Sequence, residues 1–423
     1  MASLRALRPL LASGSVRRIC RSRLASLLVR ASSSAPPTSL EAHWTPWARK
    51  DRADERSEVG YSRACGASAP EVLFQEQSHC GNGVVAVVRH GPWLALRFDI
   101  SEQGLTFTGR EGDADYRDGA ALPHVLGFEY LRVMASSAVA FLALNGTDLS
   151  APRDASRPPP LLFCVGLGAG ALPAFLAHSF GEAARVQVAE LDPLIVRVVR
   201  DTLRVRFGLA DSPDALLAAQ AQTKPAREPF EVAQGDGLAM VAQLAEEVAA
   251  GRSRGAAMLI LDAYEQNGRI PQHLREPSFL QACAACLAPE GIIVANLFNG
   301  PPNSSPRKEM GLYSRMLSDA LGGPVFSVKV QAQQTNVILV AARPDSPLGR
   351  GGGSWPTRDA LQTAARRVSR ACAAGPWEFD AGAHVERMFA LKIRPGGVVE
   401  VVPGRVIDFP KESSAADHTY VVE

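Results

Sequence analysis

Several things are scarce in this 423-residue chain. It has no run of about 18 apolar residues, so no membrane-spanning helix is expected. It has almost no net charge, 45 basic against 43 acidic residues, which gives no global reason for nucleic acid to bind. Its seven cysteines are odd in number and scattered, which suits a reducing compartment better than a disulfide scaffold. Only Cys283 and Cys286 form a C-x-x-C pair, and without a second ligand pair they read as two thiols on a partly buried helix; no metal is expected. There is no Walker-type G-K-[ST], and no glycine triplet at G-x-G-x-x-G spacing.

The first 40 residues lack acidic side chains altogether. They hold seven arginines, and the first carboxylate is Glu41. With Leu4, Leu7 and Leu11 on one helical face, this reads as an organelle transit peptide, mitochondrial or plastid. Residues 1–60 are taken as leader, and about the first 55 to 70 are set outside the fold.

What is present is apolar patterning, 46% of the chain. "EVLFQEQS", "GVVAVVRH", "WLALRFDI" and "LTFTGR" are short strand-like runs separated by glycines, which predicts an antiparallel meander. Leu122–Leu144 repeats apolar residues at helical spacing, which predicts one long helix and closes a first unit over 71–150. From Leu161 strands and helices alternate, which predicts a mostly parallel sheet with helices on both faces over 160–343. "VFSVKVQAQQTNVILVAAR" offers two closing strands. Residues 344–423 form a Gly/Pro linker and an extension without an assigned role.

The first strand of that alternation runs into "VGLGAGALP", a glycine turn with Gly166, Gly168, Ala169 and Gly170. Alone it would serve NAD, FAD, a phosphate or S-adenosylmethionine. Three later strand ends are acidic. Glu190 in "VAELDP" can accept two ribose hydroxyls, Asp236 in "QGDG" (with Gly237) an adenine amino group, and Asp262 ends "LILD" in the crevice where such sheets bind ligands. No basic phosphate clamp accompanies them, which favours a nucleoside sulfonium over a pyrophosphate. Any one of these acids could equally cap a helix, and Asp192 before Pro193 reads best that way.

The ordered set "ADYRDGAALPHVLGFEYL", "VGLGAGALP", "VAELDP", "QGDG" and "LILDAYEQNGRIP" resembles the spermidine-synthase-like branch of the class I S-adenosylmethionine-dependent methyltransferase superfamily, over roughly Leu73 to Arg343. The resemblance implies a Rossmann-like class I methyltransferase sheet preceded by a small antiparallel β domain. It implies S-adenosylmethionine, or alternatively its decarboxylated form, as cofactor, with ribose contacts from Glu190, adenine-side contacts from Asp236 and a place beside the reacting centre for Asp262. Aminopropyltransferases of that branch carry G-G-G-D-G-G, whose Asp holds the cofactor's tail ammonium; here Ala169 stands at that position. The intact cofactor also has a tail carboxylate, which backbone N–H groups around Gly168 and Gly170 would suit. In place of D-S-S-D-P the chain has Asp262-Ala263-Tyr264-Glu265-Gln266. Tyr116 matches a Tyr that lies over the acceptor, but Arg117 replaces the Gln after it. His124 and Tyr130 could face the site, although core or surface roles are commoner for such residues.

The expected activity is therefore methyl transfer from S-adenosylmethionine to an amine or protein acceptor, with Asp262, Glu265 and Tyr116 as catalytic residues. Aminopropyl transfer and a non-catalytic adenosine-binding module are the alternatives. Neither a nucleic acid nor a membrane partner is expected. Homodimers, common among proteins of this resemblance, stay an open expectation.

Overall fold

The computed structural model describes residues 55–67, 69–113, 116, 118–151, 156–218, 228–266, 268–299, 304–330, 336–349, 356–386, 388–393 and 399–401. The expected transit peptide and Arg117 lie outside them. All described residues belong to the unit Ala53–Glu423. Among them no helix is long and apolar enough to cross a membrane.

The meander forms as its alternation suggests. Strands β1 (Glu71–Gln77), β2 (Val84–His90), β3 (Trp93–Phe98) and β4 (Ser101–Phe107) pair in sequence order, all antiparallel. Trp93, 1% exposed, anchors the inner face edge-to-face on Phe107, with ring centroids 4.8 Å apart.

The residues set aside just before this sheet prove to be part of the fold. Helix α1 (Glu58–Ala67) buries Tyr61. Beside it, buried Arg56 pairs with Glu378 at 2.6 Å, and its carbonyl accepts from Arg132 at 2.7 Å. The helix has no continuous apolar stripe; these tertiary partners hold it.

The long helix is shorter than its apolar pattern. Helix α2 covers only Glu129–Leu144. Pro123 and Gly127 interrupt the preceding stretch, and a Cβ on Gly127 would lie 2.7 Å from Trp93 Cζ3, so the chain passes flat against the meander there. Phe128 at the N-cap offers no side-chain acceptor, and Glu58 of α1 accepts the Glu129 N–H at 3.0 Å instead.

The second sheet has ten strands. In chain order they are β5 (Leu161–Val165), β6 (Arg185–Glu190), β7 (Gly208–Leu209), β8 (Glu231–Gln234), β9 (Ala256–Leu261), β10 (Leu287–Phe298), β11 (Val325–Lys329), β12 (Asn336–Ala342), β13 (Met388–Ile393) and β14 (Val399–Val401). Their spatial order is β14-β13-β11-β12-β10-β9-β5-β6-β8-β7. Strands β10 through β7 run parallel, and β11 to β14 add an antiparallel edge. The chain leaves β5 towards β6 and returns on its other side as β9, so the topological switch lies between β5 and β9.

Helices α3 (Ala171–Phe180), α4 (Pro193–Asp201), α5 (Pro213–Ala218), α6 (Gly237–Ala249), α7 (Pro277–Ala285) and α8 (Ser305–Leu321) alternate with the strands. The sheet carries a hydrophobic cluster on each face, one continuous with the meander's core. Helix α4 ends at Asp201; Arg204 beyond it holds φ 54, which no continuing right-handed helix allows. Cys283 and Cys286 sit on α7 and just after it, fully buried, and burial pushes the Cys286 thiol up to about 12.

The extension without an assigned role packs on the same body. Helix α9 (Arg358–Arg370), capped by Thr357 Oγ1 on the Ala360 N–H at 3.1 Å, lies against α2. Trp377 stacks edge-on with Phe175 of α3 at 4.8 Å, and His384 pairs with Glu129 at 2.9 Å. The second contact braces the start of α2.

Candidate active site

Register gathers the acidic strand ends on one rim. Val165 pairs with Ala189 and with Leu261, Ala295 pairs with Leu261, and Glu190 pairs with Gln234. One step further along each strand stand Gly166, Glu190, Asp262 and Asn296, with Asp236 two residues beyond Gln234. The rim faces the carboxyl ends of the parallel strands, across the switch point.

The glycine turn is shaped by close approach. Gly166 has φ 97, and a Cβ there would lie 2.6 Å from the Asp262 carbonyl oxygen. Gly168 and Gly170 also hold positive φ, 52 and 72. The Gly170 N–H donates to Leu167 O at 2.8 Å. Closing the turn in this way commits the Gly170 donor within the protein. Gly237 opens α6 against β5, where a Cβ would meet Val165 Cγ1 at 2.4 Å.

Ala169 is 3% exposed and roofed by the meander. A Cβ on Gly104 of β4 would lie 2.3 Å from Ala169 Cβ and 2.9 Å from its nitrogen. The pair of small residues lets β4 lie directly on the turn, and a carboxylate at position 169 would have no room and no solvent.

Glu190 is 9% exposed. Its Oε2 accepts the Leu167 N–H at 2.8 Å and its Oε1 the Asp192 N–H at 2.9 Å, so it ties the turn to the end of β6. Burial pushes its carboxyl up, against the pull of these N–H groups. The Leu191 N–H also lies against it, and of about four lone-pair positions one stays available. Next to it Leu191 is 48% exposed, an apolar face at the rim.

Asp192 is the cap that its Asp-Pro context suggests. Oδ1 accepts the Leu194 N–H at 2.9 Å, while Oδ2 receives Ser78 Oγ at 2.5 Å and Asn82 Nδ2 at 2.9 Å. The β1–β2 loop is thereby fastened over the end of β6. Asp236 also caps: Oδ1 accepts the Leu238 N–H at 2.8 Å at the head of α6, with His273 Nε2 at 3.3 Å. It stays half-exposed and reachable.

Asp262 is the focus of the rim. Asn336 Nδ2 donates to Asn296 Oδ1 and Asn296 Nδ2 to Asp262 Oδ1, each at 2.9 Å. Burial pushes the Asp262 carboxyl up to about 6, although the Asn296 bond opposes this. Tyr264 donates its hydroxyl to Asn296 O at 2.5 Å. Burial first, and the nearby Asp262 charge second, push the phenols of Tyr264 and of Tyr130, at the start of α2, well above their ordinary range. Both phenols are therefore neutral beside one carboxylate, and the Tyr264 hydroxyl is committed to Asn296 O. A small cavity of about 10 Å³ beside them is lined by Val165, Leu261, Asn296 and Tyr313.

The other expected residues are spread more widely. Glu265 follows in the same loop, its N–H bonded to Arg269 O at 2.9 Å and its carbonyl accepting from Gly268. Tyr116 lies in the turn after β4, its N–H on Asp113 O at 3.1 Å. His124 faces Arg56 at 3.0 Å and Glu378 at 3.6 Å, towards the C-terminal segment. Tyr130 is thus the tyrosine of the upstream segment whose field couples to Asp262. Asn296, Leu191 and His273 escaped the sequence reading. Asn296 alone left a signal, as the one polar residue within the buried run "GIIVANL".

Comparison with known proteins adds likenesses in three dimensions. The chain is similar to a probable spermidine synthase from Corynebacterium glutamicum ATCC 13032, at 15% identity over 75% of this chain and 93% of that one, TM-score 0.48. It is similar to human methyltransferase-like protein 13 in complex with SAH, at 20% identity over 57% and 91%, TM-score 0.39. It is also similar to a spermidine synthase in complex with the transition-state analogue AdoDATO, at 14% identity over 75% and 83%, TM-score 0.43. No family model and no curated protein matches the chain.

Proposed function

We propose that the chain is an S-adenosylmethionine-dependent methyltransferase acting on an amine. The observation that carries the reading is Ala169 sealed beneath Gly104. The position where an aminopropyltransferase would place a carboxylate for the tail ammonium is apolar and closed. An ammonium left without that ionic partner would lose about 1.5–3 kcal/mol.

The residues at the rim fit the intact cofactor. Glu190 would accept a ribose hydroxyl on its remaining lone-pair position. Exposed Leu191 would pack on the adenine face, and half-exposed Asp236 would accept from its amino group. The Gly168 N–H would take the tail carboxylate. When bound, the cofactor supplies an electrophilic methyl group on a sulfonium, so the protein has little covalent work to do. Its residues hold the acceptor in line and exclude water, which can be worth about 7–11 kcal/mol.

Asp262, with the phenols of Tyr130 and Tyr264 beside it, makes an anionic, hydrogen-bonding pocket that suits a protonated amine. With a pKa raised to about 6, Asp262 is ionised at pH 7 and basic enough to help take the amine's proton. Glu265 and Tyr116, in neighbouring loops, would contact the acceptor further out. The deprotonated amine held in this pocket would be the nucleophile for the cofactor's methyl group, with a neutral thioether as the leaving group.

The same acidic pocket also suits a polyamine, which keeps aminopropyl transfer as the second reading. Incubation with methyl-labelled S-adenosylmethionine or with decarboxylated cofactor, each with an amine panel and mass analysis, separates the two. A product heavier by one methyl group supports the proposal. An aminopropylated product from the decarboxylated cofactor alone would overturn it.

A further inference from the structure

A larger cavity, of about 320 Å³, runs along helix α3. None of the rim residues lines it. Its size falls at the lower end of the range of small-ligand sites, about 300–1,000 Å³. The wall is apolar: Leu122 and Val125 come from the stretch before α2, Ala171 and Ala174 from α3, and Val205 from the segment after α4.

Two polar residues, Thr106 of β4 and His178 of α3, interrupt the wall. The edge of the cavity is basic. Arg204 and Arg206 line it and no acidic residue does. Arg204 is held in left-handed backbone, φ 54, an uncommon state for a residue other than glycine, with Nη1 donating to Asp118 O at 2.5 Å. Arg206 Nε donates to Glu228 Oε2 at 2.8 Å. Each guanidinium has five N–H donors, so both retain capacity for an anion.

We propose that this cavity is a second ligand site, separate from the strand rim, which takes a small apolar carboxylate. The hydrocarbon body lies between Ala174, Leu122 and Val205. The carboxylate meets the guanidinium of Arg204. Straight-chain and aromatic acids share this chemistry.

The test is isothermal titration of the full chain with octanoate and 3-phenylpropionate, and with octanamide as the neutral counterpart. At least one acid is expected to bind, and octanamide about ten-fold or more weakly than octanoate should octanoate be the one bound. The acid that binds tighter identifies the source class. Arg204→Gln is expected to weaken binding about ten-fold. Ala174→Phe is expected to abolish it while leaving S-adenosylmethionine titration unchanged. Should Ala174→Phe fail to fold, Arg204→Gln, on an exposed side chain, carries the same test. Absence of binding by both acids would overturn the proposal, as would acid binding indifferent to Arg204→Gln.

Discussion

Replacing Asp262 by Asn should make the protein more stable and inactive at once. The carboxyl is pushed from its ordinary 3.8 to about 6 by burial. Below pH 3.8 both folded and unfolded chains carry the proton, and the position costs nothing. Between 3.8 and about 6 the folded state keeps a proton that the unfolded chain releases, so stability falls as pH rises through this window. Above about 6 the ionised carboxylate bears its full desolvation cost, up to about 3 kcal/mol at 1.36 kcal/mol per pKa unit. Asn keeps the oxygen that accepts from Asn296 Nδ2 and removes the charge. Urea unfolding at pH 7.5 should show Asp262→Asn more stable by up to about 3 kcal/mol, and the gap should close near pH 4. Methyl transfer should be lost under the same conditions. A variant less stable than wild type at pH 7.5, or a gap that widens in acid, would refute the reasoning.

Further outcomes follow from the turn and its braces. Ala169→Asp would bury an unpaired carboxylate against β4, at a cost of about 3 kcal/mol or more; a lower melting temperature with no gain of decarboxylated-cofactor binding is expected by differential scanning fluorimetry and calorimetry. Gly166→Ala would force a side chain into φ 97 and against Asp262 O, destabilising by about 1–3 kcal/mol and weakening cofactor binding in titrations. Glu58→Ala would uncap the Glu129 N–H and cost about 1 kcal/mol in denaturant unfolding. Because Tyr130 is the next residue, acceptor KM should rise in that variant while cofactor affinity holds.

Much of the architecture was legible because it is local. Alternation in Glu71–Phe107 and the βα rhythm from Leu161 each state their own period, and Asp192-Pro193 names its own cap. The rim was legible too, since strand ends in a parallel sheet collect at one edge whatever the register. What escaped depends on partners far apart in sequence. Helix α1 has two buried residues, and Arg56 just before it is held by Arg132 and Glu378. The start of α2 is set by Gly127 lying on Trp93. The resemblance pointed to Tyr116; that Tyr130 also lies in the field of Asp262 depends on the packing of α2. Ala169 was noticed for the side chain it lacks; the structure adds that Gly104 fills the space, so the two positions act as a pair.

The central claim is that the rim holds the intact cofactor rather than its decarboxylated form. Calorimetric titration of the full chain with each, in one buffer at pH 7.5, tests it most directly. S-adenosylmethionine should bind at least ten-fold more tightly, in keeping with one charge-assisted hydrogen bond gained by the tail carboxylate and none offered to a lone tail ammonium. Equal or tighter binding of the decarboxylated form would contradict it.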